Sequence, residues 1–167
     1  MNLQFYKEKL EQLEEFQKFK KENPTAYFCS AFFSIDKSEK TQDNKQHLDF
    51  YVPEKNQIFS FQLEESKLVP LPIIENAPTP EKLVGNSEIS LKEIEELIIK
   101  KMQNENITNS IQKILFSFQP FQNKDFWIGT IFISGLGMIK THIDDSTKQI
   151  THFEKKSLMD MVNIFKK

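Results

Sequence analysis

The chain has 167 residues, a formal net charge of -2, a hydrophobic share of 38% and 16 Phe. Such a length suits one ordinary domain or two very small ones, and the aromatic content excludes extended disorder, because disordered chains are poor in aromatics. All 22 basic residues are Lys; without Arg, the usual fork for phosphate and guanine, and without a basic excess, nucleic acid is not expected as a partner.

The first segment predicts one helix that ends at Asn23-Pro24, since a proline disfavours helical geometry in the residue before it. Leu3, Tyr6, Leu10, Leu13 and Phe16 form its apolar stripe, Phe5 and Phe19 widen the edge, and Glu11, Glu14, Glu15, Lys18 and Glu22 lie opposite. Four strand signals follow: Ala26 to Ile35, His47 to Val52, Ile58 to Leu63, and the stretch KLVPL, whose proline marks an edge strand. Alternation places Tyr27, Cys29, Ala31, Phe33 and Ile35 on one face of the first strand. Asp36 to Lys45 is a polar loop, and Pro53 to Asn56 a tight turn.

The Pro-rich stretch from Pro70 to Glu88 predicts a long connection. Ser90 and Glu93 then have capping-box spacing, opening a second helix with Leu91, Ile94, Leu97, Ile98 and Met102 as its stripe. Four more strand signals run over Ile111 to Phe121, Asp125 to Ile133, Leu136 to Asp144 and Lys148 to Phe153, and a short closing helix over Ser157 to Phe165. The expected fold class is therefore α+β: two units, each a helix plus a four-stranded antiparallel meander, over residues 1–72 and 90–167 with a linker at 73–89. The strand from Asp125 to Ile133 is apolar on both faces, which predicts cover on its second face from the other half or another subunit.

The stretch from Phe126 to Phe153 resembles the PepSY-like pattern. Trp127 matches its aromatic strand position, and Ile143, Asp144, Thr147 and Ile150 match its hairpin. Lys148 stands where the pattern carries Gly, and Asp145 where it carries a small residue. The resemblance extends loosely to the first half. It implies a cystatin-like helix wrapped by an antiparallel sheet, and a role such as inhibitor or folding aid; it supplies no catalytic residue.

Among chemistry-bearing residues, His142 and Asp144 share a strand face, and with His152 they raise the alternative of a metal site. If Asp144 faces Gln149, regular pairing sets His142 against Thr151 and turns His152 to the opposite face, which argues against it. Cys29 with His47 in the next strand is open to two readings, a nucleophile pair or a small buried thiol. The run from Ser134 to Gly137 joins strands and predicts a hairpin, not a phosphate loop. Trp127 is a candidate either for the core or for a partner anchor.

No catalytic residue, cofactor or bound metal is expected. The leading expectation is a non-enzymatic binding or regulatory module whose partner is a protein, another copy included, with Trp127, His142 and Asp144 as binding candidates. The rivals are a carrier of an apolar small molecule in a helix–sheet pocket and, further off, an enzyme centred on His142. The charged N-terminus lacks a signal-peptide core, and no stretch reaches the roughly 20 apolar residues of a membrane span, so a cytoplasmic location is expected.

Overall fold

A computed structural model of the chain describes residues 1–37, 43–72, 75–83, 86–157 and 159. The N-terminal segment folds as two helices, α1 (Leu3–Glu11) and α2 (Glu14–Glu22), not one. The apolar spacing explains the break. Leu10, Leu13, Phe16 and Phe19 follow one another at three-residue steps, and each such step falls about 60° short of a full helical turn. On a straight helix Phe19 would face away from Leu3 and Leu10. The chain instead turns at Leu13, which takes an extended conformation as the first residue before α2, and Leu3, Tyr6, Leu10, Phe16 and Phe19 all reach the core.

Eight strands follow in two runs: β1 (Tyr27–Asp36), β2 (Lys45–Val52), β3 (Gln57–Gln62) and β4 (Lys67–Pro70), then β5 (Ile111–Phe121), β6 (Lys124–Ile133), β7 (Gly137–Asp144) and β8 (Gln149–Ser157). Helix α3 (Leu91–Asn104) precedes the second run, and its capping box is formed: Ser90 Oγ accepts from the Glu93 amide and the Glu93 carboxylate accepts from the Ser90 amide. The protein is thus α+β, with one antiparallel sheet in the order β4-β3-β2-β1-β5-β6-β7-β8. Both meanders meet at the pairing of β1 with β5, which sets Ala31 against Phe118, Phe33 against Phe116 and Ile35 against Ile114. The starts of α1 and α3 also meet, through a bridge between Asn2 and Ser90. Since β8 runs through Ser157, the expected closing helix loses its first residue, and nearly all the rest of it lies outside the described residues.

A single core cluster joins both halves. From the helices it takes, among others, Leu10, Phe16, Ile94 and Ile98; from the sheet it takes Phe33, Phe61, Phe116, Phe118, Trp127 and Ile139. Each of these large side chains contributes about 1.5–3 kcal/mol on leaving water. Aromatic edges and faces interlock, with Phe16 edge-on to Phe61 at 5.1 Å and Phe118 tilted against Trp127 at 4.8 Å between ring centres. Leu83 and Ser87, from the connection before α3, are buried as well. None of the helices among the described residues is long and apolar enough to cross a membrane.

Two bulges alter the expected alternation. One, between Phe28 and Ser30 in β1, brings Phe28 opposite Phe50 and into the core face with Ala31 and Phe33, while Tyr27 passes to the other face. The other lies in β8 between Ile150 and His152, opposite His142 and Ile143. The expected cover on the second face of β6 does not come from the other half: the two halves lie side by side in one sheet.

Gly129 sits at a tight point of the core face. A Cβ there would stand 2.8 Å from Thr141 Cγ2 and 3.1 Å from Phe116 Cε1. Gly129→Ala is expected to destabilise the fold by about 1–3 kcal/mol through overpacking, measured as a lower urea midpoint; an unchanged midpoint would show that Phe116 yields freely.

Candidate functional site: the open face of the sheet

The face turned away from the helices is built by the second periodicity of the strands. The register runs Gln62, His47, Phe32, Ser117, Ile128, His142 and His152 across β3, β2, β1, β5, β6, β7 and β8 in one row. All three histidines of the chain stand in it. Around the centre lie Leu115, Phe126 and Phe132, half-buried like Phe32 and Ile128. None of these five belongs to the core cluster or packs against it.

His142 and His152 stack across β7 and β8 with ring centres 4.9 Å apart. This corrects the expected register. The bulge at Thr151 keeps Ile150 beside Ile143 in the core face and still delivers His152 to the face of His142. Burial, together with the neighbouring His152, pushes the His142 pKa below its ordinary value. On the other half, His47 Nε2 lies 2.8 Å from Glu64 Oε1 and its ring 5.6 Å from that of Phe32.

Asp144, though on the same strand as His142, is committed to its own turn. Its Oδ1 accepts from the Ser146 amide at 3.0 Å, Ser146 Oγ at 2.6 Å and the Thr147 amide at 3.1 Å, and its Oδ2 pairs with Lys124 Nζ at 3.0 Å. The Ser146 hydroxyl and Lys124 hold this carboxyl far below the usual carboxylate range. Lys148 closes the same turn at φ 56, the left-handed region that favours glycine. Trp127 points to the opposite side of the sheet and is fully buried; its Nε1 proton is shared by Ser87 Oγ at 3.1 Å and Asp145 Oδ1 at 3.0 Å. Of the three candidates named from sequence, only His142 therefore presents its side chain on the open face with its ring unengaged by a turn or the core.

Asp49 is a half-buried ionisable group of this face. It stands between Ser60 and Ser30 across the ladder and accepts from Ser30 Oγ at 2.8 Å. Burial raises its pKa, against the pull of Ser60, Ser30 and His47. Cys29, next to it, is 3% exposed, and burial followed by the Asp49 charge pushes its thiol up to about 12. A thiol so placed is not a nucleophile at neutral pH. Among the described residues no group of three or more His, Cys, Asp or Glu is placed to hold a metal ion.

Outside this face, one cleft of about 560 Å³ opens between the end of α3 and the start of β5, lined by Ile99, Met102, Ile107 and Ile111 with the Lys37–Glu95 ion pair at its rim.

No family model matches the chain, and no curated protein matches it. A solved structure that does match is that of a putative lipoprotein from Clostridium difficile 630, with a TM-score of 0.56 at 10% identity, covering 86% of this chain and 91% of that one. At that identity the likeness is one of fold alone.

The two carboxylates titrate in opposite senses. Asp144, with its folded pKa depressed, contributes stability that is complete above the unfolded value near 3.9 and fades as pH falls. Asp144→Asn is expected to cost about 1.5–3 kcal/mol at pH 7, and thermal melts should show the gap from wild type closing below pH 4. Asp49, with its folded pKa raised, is a liability that grows as pH rises past 3.9. Asp49→Asn should melt higher than wild type at pH 7 and level with it near pH 4; a lower melting temperature at pH 7 would contradict the assigned direction.

Proposed function

We propose that this protein is a non-catalytic binding module that docks a protein on the open face of its sheet. The observation that carries the reading is the strip formed by Phe32, Leu115, Phe126, Ile128 and Phe132: large apolar side chains on a sheet face, half-exposed and outside the core. Contiguous apolar surface rimmed by polar groups marks interaction sites in soluble proteins. The polar groups nearest to it favour recognition over reaction. The Asp144 carboxylate is saturated by its turn, the Cys29 thiol is held protonated, and Ser30 donates to a carboxylate instead of to a base.

The same reading extends to descent. The chain is proposed as a remote PepSY-like protein made by internal duplication. The mirrored strand order about β1 and β5 and the bridge between the two helix starts support the duplication. The Asp144-closed hairpin, with a left-handed residue at the position where the pattern carries glycine, supports the likeness.

A partner retained by the wild-type chain in a native pull-down should be lost by Ile128→Glu, whose own unfolding free energy should stay within about 1 kcal/mol of wild type because the site is not core. Retention of that partner by the variant would refute docking on this face.

A second reading has its own observation, the apolar-floored cleft between α3 and β5; cavities of that size suit small ligands. Native mass spectrometry of the purified chain would then reveal a bound mass that Ile111→Trp removes.

A further inference from the structure

One apolar side chain of the open face is not open. Alternation along β7 sets Met138 on that face with Lys140 and His142, between Phe132 of β6 and Lys156 of β8. Met138 is nevertheless only 6% exposed, and it stands outside the core cluster. Side chains stand roughly perpendicular to a sheet, so ladder neighbours flank Met138 without roofing it. Lys140, the next residue of the strand on this face, is exposed. The cover is therefore local to the end of the sheet where β8 finishes.

The chain itself passes this point. β8 ends at Ser157, which pairs with Gly137, the residue before Met138. Ser157 Oγ accepts the Met159 amide at 3.2 Å, and Met159 is already helical, the arrangement of a serine that caps a helix start. In the residues that follow, Leu158, Met161, Val162 and Phe165 recur at helical spacing and fall within an arc of about 100°. Met159 lies about 110° from the middle of that arc and is 60% exposed, as a residue beside a buried stripe should be. A helix over 158–165 is about 12 Å long, close to the roughly 14 Å from β8 to β5.

Resting on the docking reading above, we propose that residues 158–165 form a helix laid across this end of the open face, with its apolar stripe on Met138, Phe132 and Leu115, and that a docking protein must displace it. Burial chooses the side. The cleft on the helix side begins at Asn109, which accepts from Lys155 of β8, and it is open with Ile99 exposed at its wall, whereas Met138 on the other side is covered. Charge calls for no other occupant. Lysines of this half are paired on the molecule itself, Lys113 with Asp43 at 3.5 Å, Lys124 with Asp144 at 3.0 Å and Lys156 with Glu154 at 3.3 Å. An apolar stripe suits such a self-neutralised surface, and tethering presents it at a millimolar effective concentration, ahead of a dilute second copy.

The five methionines of the chain supply the test. Full-length protein is treated with dilute hydrogen peroxide, and sulfoxide formation is followed at each methionine by peptide mass spectrometry. Met138 and Met161 should react about tenfold more slowly than Met159, the ratio for a segment that opens about a tenth of the time. In Val162→Asp/Phe165→Asp both rates should rise about tenfold, while Met102, 4% exposed beneath α3, stays protected. A protein that docks on this face should bind that variant about tenfold tighter, because the segment no longer occupies its site. Should Met102 become reactive as well, the variant has lost its fold and the wild-type order of rates decides alone.

Met161 reacting as fast as Met159 in the wild type overturns the proposal, and so does Met138 staying protected in the folded aspartate variant. Protection of Met138 that fades on dilution assigns the cover to a second copy and overturns it too. So does a partner that binds the wild type and the aspartate variant equally well. In each of these cases a partner lost to Ile128→Glu leaves the docking reading standing. A partner that Ile128→Glu retains sinks the docking reading, and the competition with it, whatever the methionines show.

Discussion

The pairing of β1 with β5 is the contact on which the rest of the molecule depends. Each meander alone would be a four-stranded sheet with a long aromatic strand at its edge, its backbone donors and acceptors unpaired. Joined along Ala31 to Asp36 and Lys113 to Phe118, the two edges satisfy one another and become the middle of an eight-stranded sheet. The pairing also fixes which side of the sheet is dry. Phe33 opposite Phe116 and Ala31 opposite Phe118 bring the two apolar faces into one plane, and a single cluster with side chains from α1, α2 and α3 closes over it. The other side is left as one continuous surface spanning both halves.

That division of labour is visible strand by strand. In β6 every second residue, from Asp125 to Ile133, is buried, and the residues between them are half-exposed past Lys124. Apolar character on the buried side is spent on Trp127, Ile131 and Ile133. Apolar character on the other side, at Phe126, Ile128 and Phe132, has no such partner among the described residues. Hydrophobicity at positions that contribute nothing to the core is the feature from which the functional reading grows.

Local signals in the sequence were strong where the physics is local. The fifth strand has the bounds its alternation predicts, Ile111 to Phe121, and α3 begins at the Ser90 cap with its reciprocal Glu93 bond. The order of helices and strands could likewise be traced along the chain. Three things could not. The break between α1 and α2 hides in a run of three-residue steps that passes for a slightly wide stripe. The two bulges carry no glycine or proline to announce them, and each reverses the faces of the residues beyond it: Phe28 gained the core, Tyr27 left it, and His152 came to lie beside His142. Lastly, alternation describes which way a side chain points and is silent on which strands are neighbours, so the union of β1 with β5, distant in sequence, had no local sign. The histidine row is a product of that union, and its three members look unrelated along the chain.

Merging two sheets into a wide one lengthens the object without adding ends, and the two ends that remain are poorly suited to growth. At one margin β4 offers only four residues and finishes on Pro70, which has no amide to give. At the other, β8 is kinked by its bulge and studded with Glu154, Lys155 and Lys156. A further strand arriving at either margin meets a missing donor, a bend or a fixed charge. Both margins of the sheet therefore oppose the edge-to-edge addition of further strands.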